Sequence, residues 1–391
     1  MTLDFSLSDD QRAIRDTARD FIAREVMPLE NDVLAREQRG EKGLPAEDLR
    51  ALQAKAQEFG FWGIGTPEEF GGAALPAVVQ SLLWTEIGRS RFPFVFGGEA
   101  DNILFRATAE QQEEFLKPTL AGDRISCFAI TEPGAGSDAT AIRMRARRDG
   151  DDWILDGEKT FITKGIEADF SIVIAVTDAE KGHRGGFTAF LVDRDMGWTS
   201  SPVHTMGPST PASMAFDGVR VPHRNVLGEV GEGFTLAMEW IGRGRYVIPS
   251  RAIGAAERLL TMAIEYAGQR ETFGVPIGEH QMIQAMLADC ELDLEAIRWP
   301  VLIAAWSIDE GLDARHASSI AKLGGATAAG RIVDRVMQVH GGMGYTKEMP
   351  IERWYREARL WRIFEGTDEI QRRTIAKGLL SGCRRVGGHL A

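Results

Sequence analysis

Between about residue 123 and residue 230 the hydrophobic period of the chain changes, and this limits what it can fold into. Before that stretch, apolar side chains recur at spacings of three and four. Ser8 and Gln11 make a capping box, and Ile14, Phe21, Ile22 and Met27 sit near one helical face. A second helical pattern begins near Ala46 and ends about Gly60. The turn-rich stretch 66–72 follows, then a helix carrying Val78, Leu82, Leu83 and Ile87, and a short one over 110–120. Inside the changed stretch lie short apolar or alternating runs at 153–155, 170–176, 187–192, 214–216 and 219–222. Each is bounded by Gly, Asp, Pro or Ser, which predicts an antiparallel β domain rather than βαβ units. From about 233 the helical spacing returns, over 233–268, 280–311 and 316–340, with a final helix opening at Thr367. Pro249 predicts a kink or break in the first of these. The expected fold class is mainly α with a central β domain: helical over 1–122, β over 123–230, and a helical bundle over 231–391.

Charge and cysteine usage narrow the function classes. Lys and Arg number 45 against 57 Asp and Glu, a net −12, which argues against general binding to nucleic acid or an anionic membrane. Cys127, Cys290 and Cys383 are far apart and not in metal spacing, so they read as reduced thiols. The seven His residues show no ligand pairing, and no metal site is expected. The opening Met1-Thr2-Leu3-Asp4 has no basic region followed by an apolar one, and no run reaches the ~18 apolar residues of a membrane span. A cytoplasmic protein without a membrane span is expected.

Four segments are candidates for chemistry. In the first, Glu365 stands after Trp361, Ile363 and Phe364 and just before Gly366 and the helix start at Thr367. A carboxylate among apolar neighbours loses hydration, which favours its neutral form and makes the ionised form a stronger base. A Glu at that place also serves commonly as a dipole or capping partner. The second segment, 127–138, runs from an apolar strand into a loop with Thr131, Gly134, Gly136 and Ser137. Small residues there admit close approach of a flat or anionic ligand, and they equally suit an ordinary Pro-Gly turn with no ligand. Gly134, Gly136 and Ala139 match a dinucleotide fingerprint, but no parallel βαβ context surrounds them. The third, 338–345, has more glycines than a helix stop requires. Arg270, Thr272, Phe273 and Gln281 add a phosphate-suited guanidinium with polar and aromatic groups, a set that by itself is more often a solvated loop.

Together these segments resemble the acyl-CoA dehydrogenase family over nearly the whole chain. One family signature fits Ala129-Ile130-Thr131-Glu132 through Gly136-Ser137-Asp138. The other fits Gln338, Gly341, Gly342, Gly344, Tyr345, Glu348, Arg353 and Glu357, with 270–277 and 365–367 in the family's order. The resemblance implies a helical N-terminal domain, an antiparallel, β-barrel-like middle domain and a C-terminal four-helix bundle. It implies a homotetramer, a dimer of dimers, with FAD held between subunits. Phe128, Ile130, Thr131, Gly136 and Ser137 would line the isoalloxazine, with Phe161 and Thr163 on its other side. Arg270, Thr272, Phe273 and Gln281 would meet the FAD of the neighbouring subunit. Gln338, Gly341 and Gly342 would close its adenine-diphosphate end, and Thr367 and Glu369 would hold diphosphate or ribose at the helix start.

By the same resemblance Glu365 removes the α-proton of an acyl-CoA thioester while the β-hydrogen leaves as hydride to FAD, giving a trans-2-enoyl-CoA. The electrons would pass to an electron-transfer flavoprotein. Ser137, Arg245, Gly366 and Lys377 would bind the substrate, the cations along its CoA arm. Gly244 and Gly242 leave empty the alternative base position that some members use near 244, and Gly242 lacks a common acidic contact to pantetheine. Lys164 and Phe161 replace a commoner small polar residue and a commoner Trp. An acyl-CoA oxidase using O2 shares the chemistry, although such enzymes usually carry an extra C-terminal helical domain. A non-catalytic helical interaction module of the same fold is the reading from another class. Asp101 and Asn102, if turned inward, would suit a polar, ring-bearing or branched acyl group.

Overall fold

A computed structural model describes residues 6–41, 43–92, 94–207 and 209–382; the opening residues and Cys383, both read above, lie outside them. The chain forms two compact units. One takes in the residues up to Gly60, Leu75–Val95 and the residues from Gly244 onward; the other takes in Phe61–Ala74 and Phe96–Arg243.

In the first unit, α1 (Asp9–Phe21) opens with the expected box. Ser8 Oγ accepts from the Gln11 N–H at 3.1 Å, and the Gln11 side chain accepts from the Ser8 N–H at 3.0 Å. The helix then passes through a π turn at Ile22–Val26 and a 3-10 turn at Met27–Leu29 into α2 (Glu30–Gln38). Next come α3 (Ala46–Glu58) and α4 (Ala77–Gly88).

In the second unit, α5 (Ala109–Gln111), a π turn and α6 (Lys117–Ala121) cover the short helix expected at 110–120. The strands are β1 (Ser126–Ala129), β2 (Arg145–Asp149), β3 (Asp152–Ile162), β4 (Phe170–Val176), β5 (Phe187–Asp193), β6 (Thr199–Pro202), β7 (Ala212–Pro222) and β8 (Val226–Leu227). They lie in the order β6-β7-β3-β2-β4-β5-β8, with β1 added to β4. The expected antiparallel sheet needs one correction: β1 pairs with β4 in parallel, Ser126 opposite Phe170, and β2 meets β4 in parallel at Arg145 and Val176. The β2–β3 hairpin lies in the long connection from β1 to β4, which gives the chain room to return in the same direction. The runs at 214–216 and 219–222 are one strand, β7. Neither β2 nor β6 stands out in the sequence, because β2 buries only Ala146 and β6 buries nothing.

The long helix α7 (Gly233–Gln269) begins in the second unit and belongs to the first from Gly244. A small hairpin, β9 (Glu271–Thr272) and β10 (Val275–Pro276), leads into α8 (Gln281–Asp309), α9 (Arg315–His340), α10 (Ile351–Trp361) and α11 (Asp368–Leu380). Leu259 and Ala263 of α7, Leu294 and Val301 of α8, Ile332 and Val336 of α9, and Trp354 of α10 share one buried core. Of the kink or break expected at Pro249, the break does not occur; α7 runs through it, as α8 runs through Pro300. A proline removes one intrahelical N–H, here the one that would reach the Arg245 carbonyl. Gly325 of α9 makes room beside the ring, since a Cβ there would stand 2.5 Å from Pro249 Cβ. No helix among the described residues is long and apolar enough to cross a membrane.

Candidate active site

Between α10 and α11 the backbone makes two successive left-handed residues, Glu365 at φ 54° and Gly366 at φ 87°. Gly366 suits the second position, because a side chain there would meet Gln371 Nε2 at 2.7 Å. Glu365 has a side chain and still adopts this conformation, a strain of about 1–2 kcal/mol that its surroundings must hold. Thr367 then caps α11, its hydroxyl accepting from the Ile370 N–H at 3.3 Å. The half-buried Glu365 carboxylate rests against Gly244 of α7, where an added Cβ would lie 3.0 Å from its carboxyl carbon.

Two cations bear on this turn. Burial, then Arg315, draw the Arg245 guanidinium below its ordinary value, against the pull of Glu365. Burial pushes the Lys322 ammonium down to about 8, opposed by Asp368 and Glu365. The apolar enclosure expected from the sequence is absent: Ile363 is 50% exposed and Phe364 37%. Ile351, Trp354 and Ala358 form the inner face of α10, and the run past Trp361 leaves that face. Charged and small groups therefore surround Glu365 where apolar ones were expected. Glu369 is exposed, and its own backbone N–H and the Thr367 hydroxyl lower its proton affinity. Lys377 is exposed in the last turn of α11, at the far end of that helix from Glu365.

In the second unit, Phe128 and Ile130 are buried in the core, and Phe128 stacks on Trp240 at 4.2 Å. What they offer a ligand is chiefly backbone. Beyond them Gly134 and Gly136 have open space where a Cβ would stand, and Ser137 is exposed. Lys159 of β3, fully buried, donates to the Ile130 carbonyl at 3.0 Å and to Glu132 at 2.8 Å. Glu132 also accepts the N–H groups of Arg143 and Met144 at 2.7 and 3.0 Å. The Thr160 N–H donates to the Thr131 carbonyl at 2.9 Å, so the loop after β1 and the end of β3 are tied together. The β3–β7 register shifts between Lys159 and Ile162, and there Phe161 turns outward at φ 57° and is 61% exposed. Thr163 is exposed, and Lys164 has φ 63°, a position that favours a small polar residue such as Asn over Lys.

Elsewhere in the first unit, the β9–β10 hairpin leaves Arg270 exposed and carries Phe273 at its tip, 98% exposed. Thr272 pairs its hydroxyl with His280 Nε2 at 3.1 Å, and Gln281 opens α8 on the surface. Gln338 is exposed near the end of α9, followed by Gly341 and Gly342 with open space about them. Among the described residues no three His, Cys, Asp or Glu side chains gather as metal ligands would.

Family models cover the chain in sequence: the acyl-CoA dehydrogenase N-terminal domain over 8–123, the middle domain over 127–219 and the C-terminal domain over 231–380. The chain belongs to the acyl-CoA dehydrogenase family. It is 36% identical to the (R)-benzylsuccinyl-CoA dehydrogenase of Thauera aromatica across 100% of both chains. It is 37% identical to the mitochondrial short-chain specific acyl-CoA dehydrogenase of Bos taurus over 97% of this chain and 92% of that one. The solved butyryl-CoA dehydrogenase of Megasphaera elsdenii superposes with a TM-score of 0.85 at 32% identity, covering 97% and 100% of the two chains. An FAD complex of PigA gives 0.86 at 27% identity, covering 96% and 99%.

An acyl-CoA dehydrogenase is an FAD-dependent oxidoreductase acting on CH–CH bonds, and this chain is one. Its residues fit the cofactor: open glycines at 134, 136, 341 and 342 admit a flat or anionic group, and exposed Arg270 supplies charge. Buried Lys159, Glu132, Lys322 and Gln371 hold the loop after β1 and the Glu365–Gly366 turn, and nothing in the sequence alone assigns them a role. Lys322 left one signal, a charge on the inner stripe of α9 with Gly325, Ala326 and Ala329. Asp101 accepts from Trp240 Nε1 and Ser126 Oγ, both at 2.6 Å, and Asn102 donates to the Glu239 carbonyl. Their polar ends are engaged within the second unit, which removes the reason to expect a polar acyl group from them.

Proposed function

We propose that the chain performs α,β-dehydrogenation of an acyl-CoA thioester to the trans-2-enoyl-CoA, with Glu365 as the α-proton base. The observation that carries this reading is the left-handed turn at Glu365 and Gly366, which holds a carboxylate over Gly244 beside Arg245 and Lys322. An isolated thioester α-proton is too weakly acidic for a carboxylate, so donors on the thioester oxygen must stabilise the developing enolate. The backbone N–H of Glu365 is one such donor in this reading, and Gly366 would contact the substrate beside it. FAD, when bound, supplies the acceptor for the β-hydrogen as hydride. The exposed backbone after Ile130, with Thr131, Gly136 and Ser137, would meet its ring system, and Phe161 and Thr163 would face it from the end of β3. Ser137, Arg245 and Lys377 would hold the CoA arm.

Phe273, Arg270 and Gln281 are exposed, which supports cofactor contact across a subunit boundary in a homotetramer; Thr272 would join them, with Gln338, Gly341 and Gly342 at the adenine end and Thr367 and Glu369 by the diphosphate or ribose. The reading also takes an electron-transfer flavoprotein as electron acceptor. Free, buried Cys127 and Cys290 favour a reducing, cytoplasmic setting.

Anaerobic titration with a panel of short, branched and aryl-bearing acyl-CoA esters, followed by flavin bleaching, tests the reaction and reads the acyl preference. Glu365→Gln is expected to keep FAD and lose about 10³-fold or more in flavin reduction. Reduction near the wild-type rate in that variant would move the base elsewhere. Rapid turnover with O2 as acceptor would favour the oxidase.

A further inference from the structure

The two carbonyls of the Glu365–Gly366 turn point inward to donors carried by two different helices. Lys322 of α9, fully buried, donates from Nζ to the Gly366 carbonyl at 2.6 Å. Gln371 of α11, also fully buried, donates from Nε2 to the Gly366 carbonyl at 3.0 Å and to the Glu365 carbonyl at 3.2 Å. A buried ammonium is strongly destabilising unless its protons are satisfied, and a cation is poorly suited to filling an apolar helix seam. Among the described residues Lys322 makes no ion pair; it donates to the backbone of the turn itself. Left-handed Glu365 would relax to an extended or right-handed conformation if those carbonyls were released.

We propose that Lys322 and Gln371 are positioning residues for the base: together they clamp the strained turn, aim the Glu365 carboxylate and N–H, and place a positive charge that favours the ionised carboxylate. This rests on the reading of Glu365 as base. The groups facing the Lys322 nitrogen are Asp368 and Glu369 at the start of α11, Glu365 in the turn and Arg245 on α7. Near neutral pH Lys322 keeps its charge, and as pH rises through about 8 it becomes a neutral donor: the clamp stays and the charge goes. Removing the cation makes protonation at the turn easier, so the acid side of the rate profile must move to higher pH.

The test uses the FAD-loaded enzyme and four variants: Lys322→Met, Lys322→Arg, Gln371→Met and Glu365→Gln. The readouts are stopped-flow flavin reduction from pH 6 to 9, exchange of the substrate α-hydrogen in D2O, FAD content, and amide exchange over residues 362–371. Lys322→Met is expected to keep FAD and substrate KM, to lose about 10–100-fold in both reduction and α-hydrogen exchange, and to shift the acid limb upward. Lys322→Arg should recover part of the rate and the original limb. Gln371→Met should slow both reactions and loosen the amides without moving the limb, because it removes no charge. Wild-type rate and limb in Lys322→Met overturn the proposal. Where that variant does not fold, Gln371→Met decides, and unchanged rate and amide protection there overturn it equally. Glu365→Gln separates the two ideas: active, it removes the base reading itself; inactive beside an unaffected Lys322→Met, it leaves the base and removes only the clamp.

Discussion

Gly244 shows how much one hydrogen in place of a methyl can decide. An added Cβ would sit 3.0 Å from both the carboxyl carbon and an oxygen of Glu365, closer than a relaxed contact, so the carboxylate would have to move by a few tenths of an ångström. Gly244→Ala is therefore expected to retain FAD and stability while slowing flavin reduction about tenfold, since reaction rates fall steeply with small misplacements of a base. Stopped-flow reduction by a saturating acyl-CoA checks this, and an unchanged rate would mean that the carboxylate swings aside at no cost. Lys159 illustrates the other kind of residue-scale dependence. Its ammonium is pushed down to about 8 by burial, yet it keeps Glu132 and the Ile130 carbonyl together, tying the loop after β1 to β3.

Helices α4 and α7 meet through a reciprocal pair of glycines. A Cβ on Gly254 would lie 1.8 Å from the Thr85 carbonyl oxygen, and one on Gly88 would lie 2.2 Å from that of Arg251. Backbone cannot give way as a side-chain end can, so the two helices would have to separate. Gly254→Ala should lower unfolding free energy by about 1–3 kcal/mol or more, read from a denaturant midpoint at constant slope. A midpoint unchanged from wild type would show that the helices can part freely. Most elements were legible from periodicity: the Ser8 box, the runs that became β4 and β5, and the helices at 233–269, 281–309 and 315–340. Polar β2 and β6 were not, since their hydrogen-bonded neighbours, not their side chains, make them strands. Pro249 does not end α7, because a long packed helix tolerates one missing donor.

At the scale of the molecule, the first unit leaves large apolar side chains in water: Phe273 is 98% exposed, Tyr345 81% and Met282 76%. A contiguous exposed apolar patch marks a partner contact, and in the proposed assembly Phe273 would belong to one. The proposed tetramer should appear in light scattering at four times the 43.0 kDa of the chain. Phe273→Asp should lose FAD and shift the particle to smaller mass. A wild-type monomer that holds FAD tightly would remove the shared-cofactor reading.

The sequence by itself determined the succession of helical, β and helical segments and the family, because periodicity and motif spacing are local properties that survive in a linear reading. It also singled out Glu365 as a candidate. Only tertiary structure decided what surrounds that carboxylate. Gly366 gains its Lys322 donor from 44 positions away, and Glu132 its Lys159 from 27. A buried charge is costly until such a partner arrives, so its meaning cannot be read before the chain has closed those distances.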